Sequence, residues 1–272
     1  MTHRIHSTRR ALPVAAAILT ITQVASAQSL ENRVAAARGT VAFEYVTRPN
    51  VCGDGSSINV SSDSSPGWNS RPDRSGVHVG TRHGAAYERC DTGPARVTLR
   101  RDGGTSTDLH VTVGGPQTQA DTDLGEVPSA EAARFLLAIA PRLAGRSGDE
   151  AVMGAEIAAG VVVWPTLLRI ARDDGASESS RKSALFWVSH EASDAASAGL
   201  DSLAVDDAAT LSVRSDALYY LAQRPRGEGI PALVRVVETS KSVKLRKDAI
   251  WFLAQTRDSR ALALFEKLLV GR

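Results

Sequence analysis

Arg181-Lys182-Ser183-Ala184-Leu185-Phe186-Trp187-Val188 decides the reading of this chain. The same pattern returns as Arg214-Ser215-Asp216-Ala217-Leu218-Tyr219-Tyr220-Leu221 and as Arg246-Lys247-Asp248-Ala249-Ile250-Trp251-Phe252-Leu253, at offsets of 33 and 32 residues. Self-similarity at such a period marks an array of supersecondary units. One step further back stands Gly148-Asp149-Glu150-Ala151-Val152-Met153-Gly154-Ala155, which keeps the alanine and loses the arginine and both aromatics. A second apolar segment keeps the same register. Trp164-Pro165-Thr166-Leu167 matches Ile230-Pro231-Ala232-Leu233, with Leu200 and Leu203 in the second unit and Leu262 and Phe265 in the last. Each unit therefore reads as a helical hairpin. Ala130 to Leu143, with Ser129 as N-cap, falls in place as the second helix of a truncated leading unit.

A hairpin of this size cannot bury its apolar face alone, so each unit hides it against the next. Alanine at 184, 217 and 249 fits a close helix contact. Adjacent helical residues point about 100° apart, so the two aromatics of each pair cannot share one surface. One member packs inside; the other either joins it as core or lines an outer face. Trp187, Tyr220 and Trp251 are the aromatic candidates for partner binding. The recurring Arg181, Arg214 and Arg246 stand near helix starts, where the macrodipole disfavours them, so they read as a solvated set or an ion-pair ladder with acids of neighbouring units rather than as a binding site. Charge is uneven: Ser129 to Val213 holds 7 basic and 12 acidic residues, Arg214 to Arg272 holds 12 and 6. Lys241, Lys244 and Lys247, with Arg246, concentrate the positive end. They suit an acidic partner or an anionic envelope surface, or form a solvated helix start.

The helical pattern follows the R-x-x-A-[LI]-aromatic-aromatic-[VL] form and, at Asp258-Ser259-Arg260-Ala261-Leu262, a D-x-R-A-L opening of a second helix. It resembles the short variety of HEAT repeats. The resemblance covers Ser129 to Arg272, about half of the chain, and the first unit departs from it in lacking the arginine. It implies a right-handed α-solenoid used for protein contacts, with no catalytic residues to carry over.

Residues 1–27 read as a secretory signal. Arg4, Arg9 and Arg10 form a basic start, Ala11 to Val24 an apolar stretch, and Ala25-Ser26-Ala27 a cleavage site. The apolar run is shorter than a membrane span needs. Export by the general secretory or the twin-arginine route is expected, into the periplasm in preference to the extracellular space, with no membrane span after cleavage. Removing the three arginines leaves 29 of the 32 basic residues against 30 acidic ones, so no global field argues for nucleic acid.

Residues 28–128 form a second, smaller domain, rich in Gly, Ser, Thr and Asp and expected to be an antiparallel β-rich cap on the helices. Thr40 to Thr47 reads as a strand with Val41, Phe43 and Tyr45 on one face. Ala95 to Arg101 and Asp108 to Val113 read as a hairpin about Asp102-Gly103-Gly104. Asn32 to Arg38 adds a short helix, Ser61 to Gly76 a long loop, and Gly114 to Asp123 a connector. In an oxidising compartment Cys52 and Cys90 are expected to form a disulfide, free thiols or half of a metal site being the alternatives.

The chain has no G-x-S-x-G, H-E-x-x-H, phosphate-binding glycine loop or C-x-x-C. His78 with His83, joined by His110, Asp54 or a cysteine, is the best metal candidate, and its spacing of five requires a loop to bring the pair together. Cys52-Gly53-Asp54-Gly55 reads as a disulfide-anchored turn or an anion nest, and His190-Glu191 as helix surface. The expected class is α+β, and the expected function is an exported, non-enzymatic scaffold or adaptor for a protein partner, without cofactor. The alternative is a small-ligand or metal-binding β-domain, enzymatic or not, carried on a helical platform.

Overall fold

The structure is a computed structural model describing residues 29–61, 77–80, 90–102, 105–191 and 193–270. The expected signal segment, the Ser61 to Gly76 loop beyond Ser61, and His83 lie outside the described residues, as do Gly103 and Gly104 of the expected turn. A helix, α1 (Leu30–Ala36), precedes seven strands: β1 (Gly39–Tyr45), β2 (Val51–Gly53), β3 (Ile58–Ser61), β4 (Val77–Gly80), β5 (Ala95–Asp102), β6 (Thr105–Val113) and β7 (Thr122–Glu126). The helices α2 (Ser129–Ile139), α3 (Gly145–Glu156), α4 (Trp164–Arg172), α5 (Glu178–His190) and α6 (Asp194–Val205) follow. They continue into α7 (Leu211–Ala222), α8 (Ile230–Thr239), α9 (Val243–Ala254) and α10 (Ser259–Val270). The chain is α+β: a mixed-sheet N-terminal part, then a run of paired helices. Among the described residues no helix is long and apolar enough to cross a membrane.

The larger sheet has the order β6-β5-β1-β7 and the smaller the order β2-β3-β4. Val41, Phe43 and Tyr45 are buried together, as their alternation requires. The β5–β6 pair is an antiparallel hairpin, with Val97 opposite Val111. The domain is not wholly antiparallel, however: β7 runs parallel to β1, and β4 parallel to β3. The expected connector ends instead in a strand. Thr122–Glu126 is polar and half-exposed, so no hydrophobic pattern announces it. Polar bonds fix its place. The buried Arg96 guanidinium bonds Glu44 at 2.9 Å, Asp123 at 2.8 Å and the Thr118 carbonyl, drawing the last segment against β1.

The outer edge of β6 is closed by α3. Ser147 Oγ accepts from the Leu109 N–H at 3.0 Å and Glu150 Oε2 from the Val111 N–H at 2.7 Å. Residues two apart on a strand edge are thus met by residues three apart on a helix, so two edge donors that would otherwise lie buried without partners are satisfied. This is why the first unit departs from the sequence pattern. At the arginine position, a Cβ on Gly148 would lie 2.6 Å from the Leu143 carbonyl oxygen. Gly154 replaces the second aromatic because Tyr45 reaches that space from the sheet, donating its hydroxyl to the Gly154 carbonyl at 2.6 Å. A Cβ there would meet Val111 and Leu136 at 3.0 and 3.1 Å.

Ser129 is the first residue of α2 rather than its cap, and its hydroxyl donates to the Val46 carbonyl at 2.9 Å, fastening the helix to the sheet. Further along, Ser177, Thr210 and Ser242 cap α5, α7 and α9 through their hydroxyls, at the same 33- and 32-residue spacing as the sequence pattern. Ala184, Ala217 and Ala249 are fully buried. The recurring arginines do not build the expected acid ladder. Arg181 donates to the Ala176 carbonyl, Arg214 to that of Ala204 and Arg246 to that of Ser240. Each guanidinium meets carbonyls at or just past the C-terminal end of the preceding helix, where the macrodipole favours a cation. Among the described residues only Arg214 adds a carboxylate, Asp207 at 2.7 Å.

Candidate partner-binding surface

The first helices of the last three hairpins carry their aromatic pairs five and six residues after the arginine. Trp187 is 3% exposed and belongs to the core, so it offers no surface to a partner. Tyr220 is half-buried against the core, and Trp251 is 60% exposed. The exposed row follows the earlier position: Tyr219, 43% exposed, stands in register with Trp251. The three sequence candidates mixed two registers. Counting from the arginine would have selected Phe186, Tyr219 and Trp251 instead, although Phe186 is only half-exposed.

The rings form a ladder across α7 and α9. Tyr220 packs edge-on to Tyr219 at 5.0 Å, Tyr219 to Phe252 at 5.8 Å, and Phe252 to Trp251 at 5.2 Å. The face continues past Trp251: Ile250 is 37% exposed where Leu185 and Leu218 are buried in the same register. Among the described residues nothing covers this side of α9.

Lysines stand on α9 and in the turn before it. Lys241, Lys244 and Lys247 are all exposed. Lys244 pairs with Asp248 at 2.7 Å, and Asp248 also accepts from Ser215 on α7 at 2.7 Å. Lys241 and Lys247 meet no carboxylate among the described residues. Burial raises the Asp216 carboxyl above its ordinary range; Lys182, Arg181 and Lys244 pull it down, and Glu178 pushes it up. A surface of exposed aromatics beside uncompensated cations can bind an acidic, partly apolar protein segment, the aromatics supplying burial and the lysines steering. Neither a family model, a curated protein nor a solved structure matches this chain.

The remaining candidates resolve differently. Cys52 and Cys90 are joined. Asp54 Oδ1 accepts from the Ser56 and Ser57 backbone N–H groups and from both hydroxyls, holding its carboxyl down at about 2 and closing the turn on itself. The His110 imidazole is engaged by carboxylates on both sides, Asp108 at 3.4 Å and Glu150 at 3.5 Å. Among the described residues no three His, Cys, Asp or Glu side chains converge as a metal set. The His78 side chain and His83 lie outside the described residues. His190 is not helix surface. It stacks on Phe186 at 4.3 Å, bonds the Phe186 carbonyl through Nδ1, and burial depresses its basicity.

One buried carboxyl was not anticipated. Glu156 closes α3 beneath Arg48, whose guanidinium lies 2.8 Å away, and burial pushes its pKa up to about 7, with Arg48 opposing and Glu191 reinforcing. From its ordinary value of 4.5 up to about 7, the folded state keeps a proton that the unfolded state releases, so stability falls as pH rises through that window. Glu156→Gln removes this part of the decline. Urea midpoints at pH 5 and pH 8 test it: the variant is expected to match wild type within about 1 kcal/mol at pH 5 and to exceed it at pH 8. Parallel wild-type and variant curves would show that Glu156 does not titrate there. Because His190 is present in both proteins, its opposite slope cancels in the difference.

Proposed function

We propose that this protein is an exported, non-enzymatic adaptor of the envelope. In this reading the helical pairs form a right-handed HEAT-like stack, the sheet domain caps its N-terminal end, and the partner docks on the outer face of α7 and α9. The single observation that carries the reading is the exposed Tyr219–Trp251 ladder with Lys247 one turn before Trp251 on α9. Large aromatics left in contact with water beside cations are costly for a monomer and are the residue types that anchor interfaces. The Cys52–Cys90 disulfide supports an oxidising compartment.

The test is affinity capture from envelope extract with wild type, Trp251→Ala and Lys247→Glu. One partner is expected to be recovered by wild type and reduced at least about tenfold by Trp251→Ala, with the unfolding midpoint unchanged. Equal recovery by wild type and variants would overturn the reading.

A second reading, a small-ligand or metal site on the β-domain, draws on the polar pocket of about 400 Å³ lined by His110, Arg146, Glu150 and the turn after β2. Stoichiometric zinc or copper in the purified protein would favour it.

A further inference from the structure

The opposite side of the helical array holds a second surface, between the first two helices of that face. α2 and α4 are separated by the segment joining α3 to α4, and a groove of about 570 Å³ runs between them. Arg48 bonds the carbonyls of Ile157 and Val161 through its backbone and side chain, and the Ala159 N–H donates to the Val46 carbonyl. That segment is therefore fastened to the sheet and holds the groove open. Leu137, Val163 and Ile170 make an apolar floor, and Val162 stands at the rim, 73% exposed. Ala130, Ala133 and Ala138 keep the α2 wall low. The stripe from 130 to 138 is ~12 Å long, about two helical turns.

Both walls carry a cation. Arg134 rises from α2 and Arg169 from α4; both are exposed. Arg134 makes no ion pair with any described residue, and Arg169 bonds only the neighbouring Thr166 hydroxyl at 3.0 Å. The acid lining the groove, Asp173, is engaged in its own turn, accepting from the Gly175 N–H at 2.9 Å.

We propose that this groove docks an acidic amphipathic helix supplied by a partner protein, with leucine-type side chains on the floor and carboxylates flanking them toward Arg134 and Arg169. Two features select this occupant, and the second excludes a simpler one. The low alanine wall of α2 admits a third helix at the 8–10 Å spacing of packed helices. Cations on both walls call for acids on both sides of one apolar stripe, which a helix presents and a strand does not, since a strand alternates its side chains between floor and solvent. A single-chain anionic amphiphile brings one head group and answers one arginine only. The site is separate from the Tyr219–Trp251 face, so a chain using both has the two surfaces an adaptor needs.

The test uses the full protein and three probes: a fluorescent 14-residue helix with leucines at three- and four-residue spacing flanked by glutamates, the same helix with lysines for the glutamates, and dodecanoate. Wild type is expected to bind the acidic helix with a Kd of roughly 10 to 100 µM and not the basic one. Arg134→Glu with Arg169→Glu is expected to weaken the acidic helix at least about tenfold and to gain the basic one, a charge swap that a loss of folding cannot imitate. Trp251→Ala is expected to leave both affinities unchanged, which separates this site from the outer face. No binding of the acidic helix, binding indifferent to the double substitution, or uptake of dodecanoate with the same arginine dependence would each overturn the proposal.

Discussion

Replacing Arg224 with alanine is expected to destabilise the protein by about 3 to 4 kcal/mol. Its side chain is fully buried at the end of α7 and reaches across to the end of α5. There it donates to the carbonyls of Ser189 at 3.0 Å and of Glu191, with Val188 at 3.5 Å, while Glu228 pairs with it at 2.8 Å. The last carbonyls of a helix have no partner within it, and one guanidinium satisfies them where water is excluded. Alanine would strip the Ser189 and Glu191 carbonyls of this donor, the Val188 carbonyl keeping the Glu191 N–H, and would open a cavity. Arg224→Met, which keeps the packing, is expected to recover less than half of the loss. Arg224→Lys is expected to fall between, since an ammonium lacks the planar fork. Guanidinium unfolding of the three variants measures this, and a midpoint for Arg224→Met equal to wild type would show that the carbonyl contacts contribute nothing.

Reducing the Cys52–Cys90 bridge is expected to cost about 3 to 4 kcal/mol, the entropy regained when a closed loop of about this length is released in the unfolded chain. The sequence separation is 38 residues. Beside the bridge, Gly53 and Asp91 exchange backbone hydrogen bonds at 3.0 and 2.8 Å, and the Gly55 N–H donates to the Val113 carbonyl at 3.0 Å. Gly53 and Gly114 approach so closely that a Cβ on either would strike the other strand's carbonyl oxygen. The disulfide therefore ties β2 to the segment that leads into β5, while the Gly55 bond fastens the same turn to the end of β6, and loss of the bridge should loosen the smaller sheet before the helices. Denaturation with and without dithiothreitol, alongside Cys52→Ser with Cys90→Ser, tests this. A difference below about 1 kcal/mol would mean that the loop is already constrained without the bond.

The helical half was largely legible because its signals are local and periodic. The buried alanines and the order of paired helices follow from an apolar periodicity that each helix must satisfy to hide one face. The strands β1, β5 and β6 were legible for a similar reason, alternation and an Asp-Gly turn. What failed were positions decided by contacts distant in sequence. β7 has almost no apolar alternation and is placed by Arg96, 27 residues earlier than its Asp123 partner. Arg224 falls outside the repeated pattern, so no register marked it. At the candidate surface Trp251 and the three lysines are exposed, whereas Trp187 is core and Tyr219, not Tyr220, is the exposed member of its pair.

By itself the sequence determined the run of helices after residue 129 and the alanines that each buries, because apolar periodicity acts over one or two turns. Only the tertiary structure decided which aromatic of each pair faces water. Adjacent helical residues differ by a rotation of about 100°, and that rotation is set by packing against neighbouring hairpins rather than by residue type. It also decided why the first unit lacks its arginine and aromatics: a sheet edge and Tyr45 already occupy the space they would fill.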